Sequence, residues 1–202
     1  MTHYRLAEPI PQSIRDVLSE HSPLVSQLLF SRGLVTKESV NAFMSPNFEN
    51  ERHDPFLMTD MEKAVSRILK AMSDNSHIAI WSDYDCDGIP GAVVLHDLFK
   101  FCGFTKFENY IPHRHDEGFG LNTTGIDALA ERGTTLLISI DCGITNVREV
   151  AHANTHGIDV IVTDHHEPGI TLPPAYAILD PKRDYAYPFR ELCGTGVIWK
   201  LI

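Results

Sequence analysis

No apolar run in these 202 residues is long enough to cross a bilayer, and the opening MTHYRLAEPIPQS lacks the apolar core of a signal peptide. No membrane partner is therefore expected. There is no CxxC pair: Cys86, Cys102, Cys142 and Cys193 stand far apart, which argues against a disulfide framework. That is the pattern of reduced, mostly buried thiols in a cytoplasmic protein. Basic charge is scarce as well, with 17 Lys and Arg against 27 Asp and Glu and a formal net charge of −10. This balance argues against a broad nucleic-acid-binding face, while a local basic groove stays compatible with it and bound divalent cations would offset part of the charge. Internal repeats and low-complexity tracts are missing. What remains is 43% hydrophobic content, enough for one large domain or a domain with a small appendage.

Apolar spacing divides the chain at about residue 75. Residues 1–75 predict a helical N-terminal segment packed on the domain that follows, with helices at Ile10–Ser19, Pro23–Ser31, Thr36–Phe43 and Thr59–Met72. The last is amphipathic, with Met61, Ala64, Val65, Ile68, Leu69 and Met72 on one side, and Thr59 and Glu62 are spaced for a capping box. Residues 76–202 alternate strand and helix. Strands are expected at His77–Ser82, Lys106–Ile111, Thr135–Ile140, Asp159–Thr163 and Tyr176–Leu179, with helices at Ile89–Phe101, Thr123–Glu131 and Asn146–His156 between them. The fold class is α/β, a mostly parallel sheet of about five strands with helices on both faces.

The chemistry concentrates where strands end. Ile78 to Ala92 reads IAIWSDYDCDGIPGA, a strand followed by Asp83, Asp85 and Asp87 at alternate positions and then a helix. Such crowded carboxylates form either a solvated acidic turn or an oxygen-rich site for Mg²⁺ or Mn²⁺. A calcium loop is disfavoured, because the twelfth position counted from Asp83 is Val94 rather than glutamate. The third strand ends in Asp141, and the fourth runs into Asp164-His165-His166-Glu167. If these strands are parallel, the three ends share one rim, and aspartates and histidines from separate stretches converge on one pocket.

The ordered set DYDCDG, IDCG and TDHH resembles the DHH phosphoesterase superfamily, and within it the RecJ-like single-strand-specific exonucleases. IPHRHDEGFGLN at 111–122 is similar to that group's PxRxxxGYGL segment, and GIDVIVTDHHEPG, LPPAYAILDPKR and CGTGVIWKL run alongside it as well. The resemblance implies a two-metal phosphodiester hydrolase using Mn²⁺ or Mg²⁺. It implies a 5′-to-3′ exonuclease on single-stranded DNA in repair or recombination, with replication or repair proteins as possible partners. Alternatives are a DHH phosphodiesterase for short oligonucleotides or cyclic dinucleotides, and a non-catalytic replication scaffold. By the resemblance Asp85 and Asp87 are ligands, one for each metal, Asp83 is the extra aspartate of that motif, and Asp141 bridges the two ions. His165 is the histidine ligand with Asp164 orienting it, and His166 meets the scissile phosphate or leaving group. Many relatives carry histidine where this chain has Trp81, a departure that shifts weight onto Asp83.

Substrate contacts are expected from the 111–122 segment. Arg114, flanked by His113 and His115, matches a phosphate contact by resemblance, against a solvated loop cation on charge grounds alone. Gly118 and Gly120 would let the backbone approach a phosphate. Phe119 and Tyr110 are candidates for base stacking or for core packing. The chain stops at Trp199-Lys200-Leu201-Ile202, inside an apolar helical pattern without a stop signal. Together with the resemblance, this leads us to expect a further C-terminal domain of the same chain. That domain would carry another aspartate ligand and the basic surface missing here, since neither Asp180 nor Asp184 has that ligand's motif context.

Overall fold

Four runs carrying Ile, Val or Leu and the aromatic-flanked edge strand FENY form a single parallel sheet: β1 (His77–Ser82), β2 (Phe107–Tyr110), β3 (Thr134–Ile140), β4 (Asp159–Thr163) and β5 (Ala177–Leu179). In this computed structural model, which describes residues 6–49 and 51–202, the strand order is β2-β1-β3-β4-β5. The chain leaves β1 for one edge and returns on the other side of it, so the topological switch lies between β1 and β3. In an open α/β sheet that crevice, at the carboxyl ends of the strands, is where ligands bind.

Side chains alternate between the two faces, as a strand's twofold periodicity demands. Ile78, Ile80, Leu136, Ile138, Ile140 and Ile161 enter one apolar cluster with residues of α4 (Met61–Ser73), α5 (Gly88–Phe101) and α8 (Gly194–Leu201). Ala79, Trp81, Leu137, Val160 and Val162 enter the other, beneath α6 (Thr123–Glu131) and α7 (Val147–Thr155). These strands are buried on both faces, which explains why their sequences are continuous apolar runs.

The described chain divides into two compact units, Met1–Arg52 and His53–Ile202. α4 therefore belongs with the sheet, not with the helices before it as the expected division at residue 75 had it. The reason is its apolar face, since Met61, Ala64, Ile68 and Ala71 are buried in the sheet's core. Leu69, expected on that face, is 59% exposed. The expected capping box also fails to form. Asp60 takes the N-cap position at φ 67° without a side-chain cap bond, while the Thr59 hydroxyl donates to Asp184 Oδ2 at 2.7 Å. The first unit contains α1 (Gln12–Val17), α2 (Pro23–Ser31) and α3 (Lys37–Met44) around Leu18, Leu29 and Val40. Ser22 and Thr36 cap α2 and α3.

Candidate metal centre

A buried aspartate immediately follows four adjacent strands: Asp83 after β1, Asp141 after β3, Asp164 after β4 and Asp180 after β5. The sheet's hydrogen bonding continues through this row. The amide of Asp83 donates to Ile140 O at 3.1 Å, that of Asp141 to Thr163 O at 2.9 Å and that of Asp164 to Leu179 O at 3.0 Å. Side chains that would repel one another in isolation are thus held by backbone bonds they cannot escape. Asp141 carries a left-handed backbone, φ 61°, unusual for a non-glycine residue and a form of local strain found where geometry serves a site.

Asp85 and Asp87 sit in the turn between β1 and α5. Asp85 Oδ1 accepts the amides of Asp87 at 2.8 Å and Gly88 at 2.9 Å, and these bonds hold its carboxyl below the usual range. Asp87 spans to α8: its carboxylate accepts the amides of Gly194 at 2.6 Å and Thr195 at 2.8 Å, and the Thr195 hydroxyl donates to Asp87 O at 2.5 Å. Burial works against its charge, but those amides, the Thr195 hydroxyl and the Cys193 thiol outweigh burial and lower its pKa. The turn fits only because two positions lack side chains. A Cβ at Gly88 would stand 2.5 Å from Asp83 O, and one at Gly194 would stand 2.6 Å from Asp141 Oδ1.

Asp141 lies at the centre. Burial, then the charges of Asp87 and Asp85, push its carboxyl up to about 8. His165 Nε2 is 3.1 Å from its Oδ1 and 3.6 Å from Asp87 Oδ2, yet Oδ1 accepts no hydrogen bond, because proximity here comes without the required angle. Asp83 Oδ1 is likewise buried without a partner, and burial followed by the Asp85 charge raises that carboxyl. Donor atoms of Asp83, Asp85 and Asp141 lie within 4.8 Å of one another, as do those of Asp141, His165 and His166. A donor set of carboxylates with one or two imidazoles, carrying unpartnered buried oxygens and carboxyls strained toward protonation, fits a hard divalent cation such as Mg²⁺ or Mn²⁺. Trp81 takes no part: it is fully buried on the α6 side and stacks on Tyr110 at 4.2 Å.

Asp164 differs from its expected role. Its carboxylate holds the ring of His166, with Nδ1 2.7 Å from Oδ1, and gives His165 only a bond to the backbone amide, at 2.8 Å. The cause is local: the chain turns about the Asp164 carboxylate, whose Oδ1 also accepts the His166 amide at 3.2 Å, and this turn brings the His166 ring back onto it. The Asp164 bond raises His166 to about 9, in spite of partial burial. Ile144 N donates to Asp164 Oδ2 at 2.9 Å, fixing the carboxylate from behind. Asp180, at the end of the row, keeps one oxygen unpartnered and is raised to about 7, chiefly by burial.

The 111–122 segment is organised by Glu117, which the sequence did not single out. Its carboxylate accepts the Tyr110 hydroxyl, the His113 amide at 2.7 Å and the Asn122 side chain at 3.2 Å. Tyr110 thus packs and anchors the segment in the core, while Phe119 is 57% exposed with its ring 6.0 Å from that of His166. Arg114 lies over the Tyr84 ring at 4.1 Å, and its charge is felt at Asp83, which places it at the mouth of the carboxylate cluster. His113 instead faces Asp116, 2.7 Å away. Gly118, φ 78°, has open space where a Cβ would be; Gly120, also at φ 78°, is needed because a Cβ would meet Asn146 Oδ1 at 2.9 Å. The close approach at Gly120 is therefore to the start of α7.

The model of the DHH family, N-terminal domain, matches residues 77–202. The chain is 44% identical over 182 residues to the single-stranded-DNA-specific exonuclease RecJ of Bacillus subtilis (strain 168), covering 89% of this chain and 23% of that protein. Among solved structures, an exonuclease RecJ bound to manganese aligns with a TM-score of 0.65 at 32% identity, over 71% of this chain and 36% of that one. RecJ in complex with Mn²⁺ from Thermus thermophilus aligns with a TM-score of 0.68 at 25% identity, over 97% of this chain and 27% of that one. The chain thus spans about a quarter of the length of the Bacillus relative.

Proposed function

The chain belongs to the DHH family, and on that premise we propose that it forms the catalytic part of a metal-dependent exonuclease of RecJ type, hydrolysing single-stranded DNA from the 5′ end in repair or recombination. The observation that carries this reading is the convergence of Asp83, Asp85, Asp87, Asp141 and His165 on the switch-point crevice, with buried oxygens of Asp83 and Asp141 left without partners. These five residues would hold two divalent ions, Mn²⁺ or Mg²⁺, with Asp141 shared between them. When bound, the ions supply activation of the attacking water and neutralisation of phosphodiester charge.

The chain's own groups do the rest. His166 is held by Asp164 through Nδ1, which leaves Nε2–H free to donate to a phosphate oxygen or to the departing 3′ oxygen. In the metal-free chain the Asp164 bond raises its pKa to about 9, which favours the doubly protonated ring. Arg114, supported by the Tyr84 ring, meets a phosphate, and Phe119 offers an exposed face for a base. Gly118 lets the segment's backbone approach the strand without a side chain intervening. We place the protein in the cytoplasm, in keeping with free thiols at all four cysteines, although only Cys142 is buried and Cys86, Cys102 and Cys193 are exposed, contrary to the expectation of mostly buried thiols; among the described residues no helix is long and apolar enough to cross a membrane. A digestion panel tests the function: single-stranded DNA, duplex DNA, short RNA and a cyclic dinucleotide, each with Mn²⁺ and with chelator. Mn²⁺-dependent release of nucleotides from single-stranded DNA in preference to the others supports the reading. Preference for the cyclic dinucleotide, or no hydrolysis at all by a Mn²⁺-loaded protein, overturns it.

A further inference from the structure

A second cluster of metal-binding side chains lies away from the strand-end carboxylates. His152 and His156 stand four residues apart on α7 and at its C-cap, so both rings project from one side of the helix. Their ring centroids are 4.9 Å apart. From the neighbouring helix α6, Asp127 Oδ1 reaches both, at 2.6 Å from His152 Nε2 and 3.0 Å from His156 Nε2. Three donor atoms from two helices thus converge within 4.8 Å.

We propose that Asp127, His152 and His156 form a peripheral site for a zinc-class transition metal ion that clamps α6 to α7. Four observations support it. Three protein donors, two of them imidazole nitrogens, are the ligand count of an open tetrahedral Zn²⁺ site, with water completing it. Metal–donor lengths of about 2.0–2.1 Å need the donors slightly farther apart than the present hydrogen bonds hold them, a change within reach of a side-chain rotation. The ligand bases are rigid, because Ile126 and Leu129 on α6 and Val150 and Ala153 on α7 are fully buried in one core cluster. Finally, His156 sits at the C-cap of α7, where the helix dipole favours a cation.

The site differs from the strand-end centre in both place and chemistry. β4 begins three residues after His156, so the cluster lies toward the edge where strands start, opposite the rim that carries Asp83 and Asp141. The strand-end set is mostly carboxylate and suits Mg²⁺ or Mn²⁺, whereas imidazole pairs favour Zn²⁺ over either. The two sites can therefore be loaded separately.

The test counts Zn²⁺ bound at equilibrium in buffer containing excess Mg²⁺. It uses the full chain in a background where Asp141→Ala and His165→Ala disable the strand-end centre. One equivalent is expected, and adding His152→Ala with His156→Ala should abolish it. Histidine ring NMR of the unsubstituted chain gives a second readout that needs no variant. The His152 and His156 resonances should shift at the first additions of Zn²⁺ and stay unmoved by Mg²⁺. Zn²⁺ should also raise the melting temperature of the background protein and leave the double-histidine variant unchanged. No Zn²⁺ bound in the background, an equivalent that survives loss of both histidines, or ring resonances indifferent to Zn²⁺ would each overturn the proposal.

Discussion

Replacing Asp141 by asparagine should stabilise the metal-free protein while destroying its ability to gain stability from Mn²⁺. Asparagine is the right probe, because it keeps the shape, tolerates the left-handed backbone at φ 61° and still offers a donor toward Asp85. The magnitude follows from linkage. Burial and the neighbouring carboxylates raise Asp141 from 3.8 to about 8, so across that window the folded chain holds a proton that the unfolded chain releases. The wild type therefore loses stability relative to the asparagine variant as pH rises from about 4 to about 8, after which the gap is constant. At roughly 1.4 kcal/mol per pKa unit the ceiling is about 6 kcal/mol. Solvent reaching the rim beside His165 and Asp85 screens the interaction, which brings the expected gain to the order of 2 kcal/mol near pH 8. Urea unfolding in chelator at a series of pH values measures it, and the same experiment in Mn²⁺ should reverse the order of the two proteins. Equal stability at pH 4.5 and pH 8.5 in chelator would refute the claim that these carboxylates are crowded against their own charge.

Three further outcomes are expected. His165→Ala should weaken Mn²⁺ binding, whereas His166→Ala should leave it nearly intact and slow the chemical step; calorimetric titration of both separates them, and equal losses contradict the division of roles. In the metal-free chain His166 should titrate near 9, and Asp164→Asn should return it toward 6.5, as histidine NMR would show; the stability that this raised pKa lends is full below about 6.5 and is lost as pH climbs through 9. Gly194→Ala should cost about 1–3 kcal/mol by overpacking and loosen the start of α8 from Asp87, with a drop in Mn²⁺ affinity; an unchanged melting temperature and affinity would show that the Gly194 contact has no role.

Most of the sheet was legible because parallel strands buried on both faces leave apolar runs; the partly exposed edge strand FENY is the exception, and all five expected strands lie within a residue of their observed bounds. The rim was legible because Asp83, Asp141 and Asp164 directly follow such runs. Partners set by tertiary geometry were not legible. Asp164 lies next to His165 in sequence but holds the ring of His166. The amides of Gly194 and Thr195 hold Asp87 across 107 and 108 positions, and nothing local announces that bond. Glu117 looks like any loop acid until the chain brings Tyr110 and Asn122 to it. The Thr59 capping box failed because Asp184, distant in sequence, competes for the Thr59 hydroxyl.

The most direct measurement is anomalous diffraction at the manganese edge from crystals of this chain grown in Mn²⁺. Two peaks are expected in the switch-point crevice, one on each side of Asp141, within coordination distance of Asp85, Asp87 or His165. Peaks elsewhere with that crevice vacant, or full Mn²⁺-dependent hydrolysis of single-stranded DNA by a folded Asp141→Ala variant, would contradict the two-metal assignment.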